Sequence, residues 1–167
     1  MKQSTDIRVR TDARYDQLYK DLRPYCGEAH AVFFLCFCLG VKSGRRVEEA
    51  VKRTDRFWSG TITADEWACF YAIAVDQETM EFSILDDDKA VVRIAETYAD
   101  GGMEVLIEEL LERFLAKGDA YKLDTSVCAD LSWQLLKFIP DQLVLSQCVA
   151  SFSSSRTSAT SILPWGS

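Results

Sequence analysis

The eleven residues "AVFFLCFCLGV", Ala31 to Val41, constrain this chain more than any other stretch. They are apolar on nearly every face, so a helix built from them has no side to show to water and is buried all round. At eleven residues the run falls short of the ~20 that a bilayer-spanning helix needs. The helix therefore belongs in a protein core or at a subunit interface, with Phe33, Phe34 and Phe37 as interface candidates. It is predicted to start near Gly27-Glu28 and to run to Leu39. The glycines of "GVKSGRR" end it, and Lys42, Arg45 and Arg46 follow as a basic cluster.

A core that can enclose such a helix fits 167 residues, the length of one domain or of one domain with a small appendage. Charge divides the chain unevenly. Residues 1–56 carry 12 Lys+Arg and 8 Asp+Glu, a net of +4, whereas residues 57–167 carry 7 and 18, a net of −11. The whole protein repels a polyanion while its first third attracts one. The expected organisation is a basic strand-helix-helix segment over 1–46, an acidic helical region over 47–150 packed with it as one domain, and a disordered Ser/Thr-rich tail over 151–167. No basic stretch leads into an apolar block and a cleavage site at the N-terminus, so a cytoplasmic protein without a membrane span is expected.

Ahead of the apolar helix stands "DIRVR". Ile7 and Val9 share one parity and Arg8 and Arg10 the other, the period-two pattern of a half-buried strand. Thr11 is a plausible N-cap for the next helix, in which Tyr15, Leu18, Tyr19 and Leu22 recur on one face. Pro24 is expected to end that helix at Arg23. Further on, Val47 to Trp58 reads as a short helix. Thr63 and Glu66 form a capping box before Trp67, Phe70 and Tyr71. "MEFSIL" reads as a strand or a helix end. Asp86, Asp87 and Asp88 suit a helix N-terminus better than a metal site, and Gly101-Gly102 are expected just beyond that helix's end. Met103 to Leu115 carry the clearest helical stripe in the chain, stopped by Gly118. A last helix bears Leu131, Leu135, Leu136 and Ile139, with Asp124, Thr125 or Ser126 as cap and Pro140 as its limit. The fold class is mainly α, a compact helical domain with one short N-terminal β-strand.

Six cysteines, Cys26, Cys36, Cys38, Cys69, Cys128 and Cys148, contain no CxxC pair and read as reduced, mostly core thiols. Cys26 and His30 are two ligand types at helical spacing, but two ligands do not make a zinc site, and no metal or cofactor is expected. No GxSxG, GxxxxGK[ST] or HExxH motif is present, and Glu108 and Glu112 read as solvated side chains, so no catalytic residue is assigned and an enzyme is not expected.

The strand-helix-helix order of residues 6–40 resembles the ribbon-helix-helix module, in which two chains pair their N-terminal strands into a ribbon that enters the major groove. That resemblance implies DNA contact by Arg8 and Arg10, with Ile7 and Val9 in a dimer core. An edge strand with solvated arginines is the alternative reading of the same residues. More broadly, "IRVRTDARYDQLYKDL", "AVFFLCFCLGVKSGRR" and "AETYADGGMEVLIEELLERF" resemble a small family of accessory proteins of bacterial DNA phosphorothioation systems, DNA phosphorothioation-associated protein 4. Arg8, Val9, Arg10, Leu39, Gly40, Arg45, Arg46 and the stretch from Tyr98 to Leu110 carry the likeness, over roughly residues 6–115, and residues 119–167 depart from it. It implies a non-enzymatic role in anti-phage defence, through other defence-system proteins and double-stranded DNA. Lys42, Arg45 and Arg46 join Arg8 and Arg10 as DNA-contact candidates, and a homodimer is expected. The alternatives are a ribbon-helix-helix repressor of its own operon and a phage-encoded inhibitor of a host defence enzyme.

Overall fold

The computed structural model describes residues 6–48, 52–78 and 80–154, the last twelve of these as backbone only. It is mainly α, with one two-stranded antiparallel sheet. Strand β1 (Arg8–Asp12) leads into helices α1 (Asp16–Cys26) and α2 (Ala29–Ser43), so the strand-helix-helix order is present. Strand β2 (Arg53–Trp58), helix α3 (Ala64–Gln77) and helix α4 (Asp88–Leu106) follow. Helix α4 is prolonged by a π-helical turn over Ile107–Leu111 and a 3-10 turn over Glu112–Phe114. The chain divides into two compact units, Met1–Ser132 and Trp133–Ser167. The division falls inside helix α5 (Leu131–Ser154).

The apolar run becomes α2, whose Val32, Phe33, Cys36, Phe37 and Leu39 are buried. Its rings interlock with neighbours at edge-to-face angles, Phe37 on Phe70 of α3 at 4.8 Å and Phe33 on Phe57 of β2 at 5.4 Å. Val9, Phe33 and Phe37 are thus spent inside this chain, while Ile7 and Phe34 are half-buried. No single described helix is long and apolar enough to cross a membrane.

Three glycines decide how close α2 and α4 lie. A Cβ on Gly40 would stand 2.0 Å from the Tyr98 carbonyl oxygen, one on Gly101 2.2 Å from that of Arg45, and one on Gly102 1.6 Å from that of Cys36. Gly101 and Gly102 do not terminate a helix. They lie within α4, where missing side chains let two backbones touch. Likewise Gly40 is interior to α2, and Gly44, at φ +65°, supplies the left-handed cap that ends it.

Other boundaries shift for equally local reasons. Helix α1 runs past Pro24 to Cys26, because the proline removes one donor while the Gly27 amide still closes the last turn on the Arg23 carbonyl at 3.0 Å. Thr11 belongs to β1, and Asp12 caps the turn that follows, accepting from the Arg14 amide. The stretch from Arg53 to Trp58 is a strand, since the partner available for β1 outweighs its weak helical pattern. Residues 82–86 form a 3-10 turn. Asp87 caps α4 through the Lys89 and Ala90 amides. Helix α5 starts after a 3-10 turn over Cys128–Asp130 and continues through Pro140 to Ser154, so 151–154 are helical. The rest of the expected tail, 155–167, lies outside the described residues.

The capping box at α3 is present in full. Thr63 Oγ1 accepts from the Glu66 amide at 3.3 Å, and Glu66 Oε2 accepts from the Thr63 amide at 2.8 Å. Thr63→Ala is expected to lower stability by about 1 kcal/mol and Thr63→Ser to leave it near wild type, read as shifts in the urea midpoint. An unmoved midpoint for the alanine variant would count against the cap.

Candidate nucleic-acid interface

The ribbon is made within one chain. Arg8 stands opposite Trp58, Val9 opposite Phe57, Arg10 opposite Asp55, Thr11 opposite Thr54 and Asp12 opposite Arg53. This register leaves Arg56 unopposed, a bulge between the Phe57 and Asp55 pairings. The bulge has two consequences. It puts Trp58 and Asp55, three residues apart, on the outward face together with Arg8 and Arg10. It also sends Arg56 inward, where its Nε donates to Thr11 Oγ1 at 2.6 Å, Nη1 to Asp16 Oδ1 at 2.7 Å and Nη2 to the Asp12 carbonyl at 2.9 Å, above the Tyr19 ring. Arg56 pins the start of α1 to the sheet.

The other edge of β1 is closed by α4. The Arg10 amide donates to Glu96 Oε1 at 2.6 Å and the Asp12 amide to Asp100 Oδ1 at 2.9 Å. Two carboxylates four residues apart on a helix thus stand where a third strand's carbonyls would be. With β2 on one edge and these carboxylates on the other, β1 has no free edge for a second chain. The arginine-bearing strand is the observed element, and its ribbon partner is β2 instead of a symmetry mate.

Arg53 of β2 lies between the same carboxylates, ion-paired with Glu96 and with its Nη2 3.7 Å from Asp100 Oδ2. Among the described residues neither Arg53 Nη2 nor Asp100 Oδ2 has a hydrogen-bond partner, so their attraction is electrostatic alone. Burial pushes the Asp100 carboxyl up to about 6, opposed by the Asp12 amide and Arg53. Burial also raises Glu96, against the pull of the Arg10 amide and of Arg53.

Above this base, between the ribbon and the first half of α4, lies a cleft of about 480 Å³. The ribbon side supplies Arg8, Arg10, Arg53 and Trp58, with Asp6 and Ile7 just before β1, and α4 supplies Lys89, Val92, Arg93 and Glu96 from one helical face. Five cations meet there in a protein of net charge −7. Arg8 lies over the Trp58 ring, its guanidinium carbon 3.5 Å from the centroid. Asp55 engages Arg10 at 2.8 Å and Arg8 at 3.7 Å. Lys89 and Arg93 are exposed, and Arg93 acts electrostatically on Glu96, one turn further along α4. Exposed cations held on a rigid helix beside ribbon arginines attract anions, and a phosphate oxygen suits the arginine fork.

Arg8 and Arg10 are therefore brought together at one site. Lys42, Arg45 and Arg46 do not line it. Arg45 pairs with Glu108 at 2.8 Å, and Arg46 bonds Gln77 at 2.7 Å and Glu48 at 2.9 Å and lies over Tyr98, so both tie the end of α2 to its neighbours. Arg53, Trp58, Lys89 and Arg93 are cleft residues that sequence reasoning missed. The i, i+4 spacing of Lys89 and Arg93 was the visible signal, masked by three aspartates before it. Among the described residues five cysteines are free, Cys36 and Cys128 buried and Cys38 and Cys69 exposed. No group of three or more His, Cys, Asp or Glu that could hold a metal occurs among them. No family model, curated protein or solved structure matches this chain.

Proposed function

We propose that this protein is a non-enzymatic accessory factor that binds nucleic acid through the cleft between its ribbon and α4. The observation that carries the reading is the convergence of Arg8, Arg10, Arg53, Lys89 and Arg93 on one concavity, with Lys89 and Arg93 exposed on the α4 side. The acidic remainder of the chain repels a polyanion, so contact is confined to this face. The sequence resemblance to phosphorothioation-associated proteins supplies a setting: anti-phage defence linked to DNA modification, beside other proteins of that system.

The test is anisotropy of fluorescent DNA, plain and phosphorothioated, across a salt series. Wild type is compared with Arg8→Ala/Arg10→Ala and with Lys89→Ala/Arg93→Ala. The expected result is binding whose log K falls linearly with log [salt], with a slope smaller by about one to two in either double variant. A preference for phosphorothioated DNA would support the defence setting. Absence of binding at low salt would remove the nucleic-acid reading.

A further inference from the structure

We infer that the cleft takes an unpaired nucleotide of a DNA strand, its phosphate on Lys89 and Arg93 and its base against the Arg8–Trp58 stack. This rests on the nucleic-acid reading above and names the form of DNA that the site selects. Three features of the site carry it. A cleft of about 480 Å³ has room for a nucleotide, whereas a duplex, with its paired bases stacked in its interior, can bring only backbone to it. The cleft contains both components of a single-strand site, cations for the phosphate and an aromatic surface for the base. Trp58 also keeps 40% of its surface exposed although Arg8 covers part of one face, and it borders the cleft directly.

Trp58 stands at the end of β2 with its ring only partly covered. Here the ribbon holds it still. The cross-strand pairing with Arg8 and the bulge at Arg56 fix its outward direction, so a base that stacks on it meets a surface already ordered. Val92, almost fully buried, lies at the α4 wall of the cleft between Lys89 and Arg93. Such a site recognises a π-face and a phosphate without reading a sequence.

The experiment compares a fluorescein-labelled dT12 strand, a blunt duplex of the same length and that duplex with a three-nucleotide overhang. The proteins are wild type, Trp58→Leu, Trp58→Phe and Lys89→Ala/Arg93→Ala. Single strand and overhang are expected to bind about tenfold tighter than the blunt duplex. Trp58→Leu is expected to abolish that preference, Trp58→Phe to keep most of it, and Lys89→Ala/Arg93→Ala to weaken all three DNAs. Free dTMP is expected to displace the strand only at millimolar concentration, because it lacks neighbouring phosphates; displacement at micromolar concentration would overturn the strand as ligand. Blunt duplex bound as tightly as single strand, with no effect of Trp58→Leu, would overturn the inference and leave the nucleic-acid reading standing. No binding of any of the three at low salt would overturn both.

Discussion

Replacing Gly102 by alanine is expected to destabilise this protein by about 4 kcal/mol or more, a large share of the roughly 5–15 kcal/mol that holds a domain of ordinary stability together. The sign is the informative part. At an exposed helix interior, glycine to alanine is favourable by about 1 kcal/mol, because alanine loses less backbone entropy. Here the new Cβ would lie 1.6 Å from the Cys36 carbonyl oxygen, 2.6 Å from its carbon and 2.7 Å from the Gly40 nitrogen. All three are backbone atoms of α2, so no rotamer change relieves the overlap. The two helices must separate instead, which opens the packing of Phe37 against Phe70 and Tyr98. Urea unfolding followed by circular dichroism checks the prediction. A variant with a wild-type midpoint would mean that the helices do not approach as described. Gly101→Ala should cost less, because its neighbours, the Arg45 carbonyl and the Arg46 amide, lie just beyond the end of α2 where the chain can yield.

The second large effect is expected at Arg53, and it should depend on pH. Arg53→Met keeps the apolar stem but leaves Glu96 and Asp100 buried without their cation, a loss of about 3–5 kcal/mol at pH 8. The direction with pH follows from the raised carboxyls. Asp100 titrates at about 6 in the folded protein against 3.8 as the ordinary value. The folded state therefore holds this proton more tightly than the unfolded state. The stability it contributes is full below about pH 4 and is lost as pH rises through about 6, at most about 3 kcal/mol for a shift of this size. Without Arg53 both carboxyls rise further, so the deficit of the variant should shrink clearly between pH 8 and pH 5. Unfolding of both proteins at the two values provides the measurement, and carboxylates elsewhere cancel in the difference. Equal deficits at both pH values would show that Arg53 does not neutralise this pair. Asp100→Asn retains an acceptor for the Asp12 amide, so it should flatten the same pH dependence.

Ile7/Val9 against Arg8/Arg10, the apolar run of α2, and the Thr63–Glu66 box were legible because each rests on a period or a cap within a few residues of itself. The mainly α fold with an N-terminal strand follows from such local patterns. Their ends were less legible. Gly101-Gly102 has the composition of a helix stop and became a helix crossing, because the carbonyl that approaches it comes from Cys36, far away in sequence. Arg53–Trp58 has an ambiguous pattern, and its strand form depends on β1 lying beside it.

The candidate site divides in the same way. That Arg8 and Arg10 turn outward from their strand is a property of strand geometry, available from residue parity alone. What they face was not. The bulge at Arg56 rotates Trp58 onto their side, and Glu96 and Asp100 fasten β1 to α4, which sets Lys89 and Arg93 across the cleft. Local sequence determines the elements and their faces because backbone dihedrals and side-chain periods are short-range. Tertiary structure alone decided the partner of β1 and the membership of the cleft. Both rest on hydrogen bonds and charge contacts between residues more than forty positions apart, which no local period encodes.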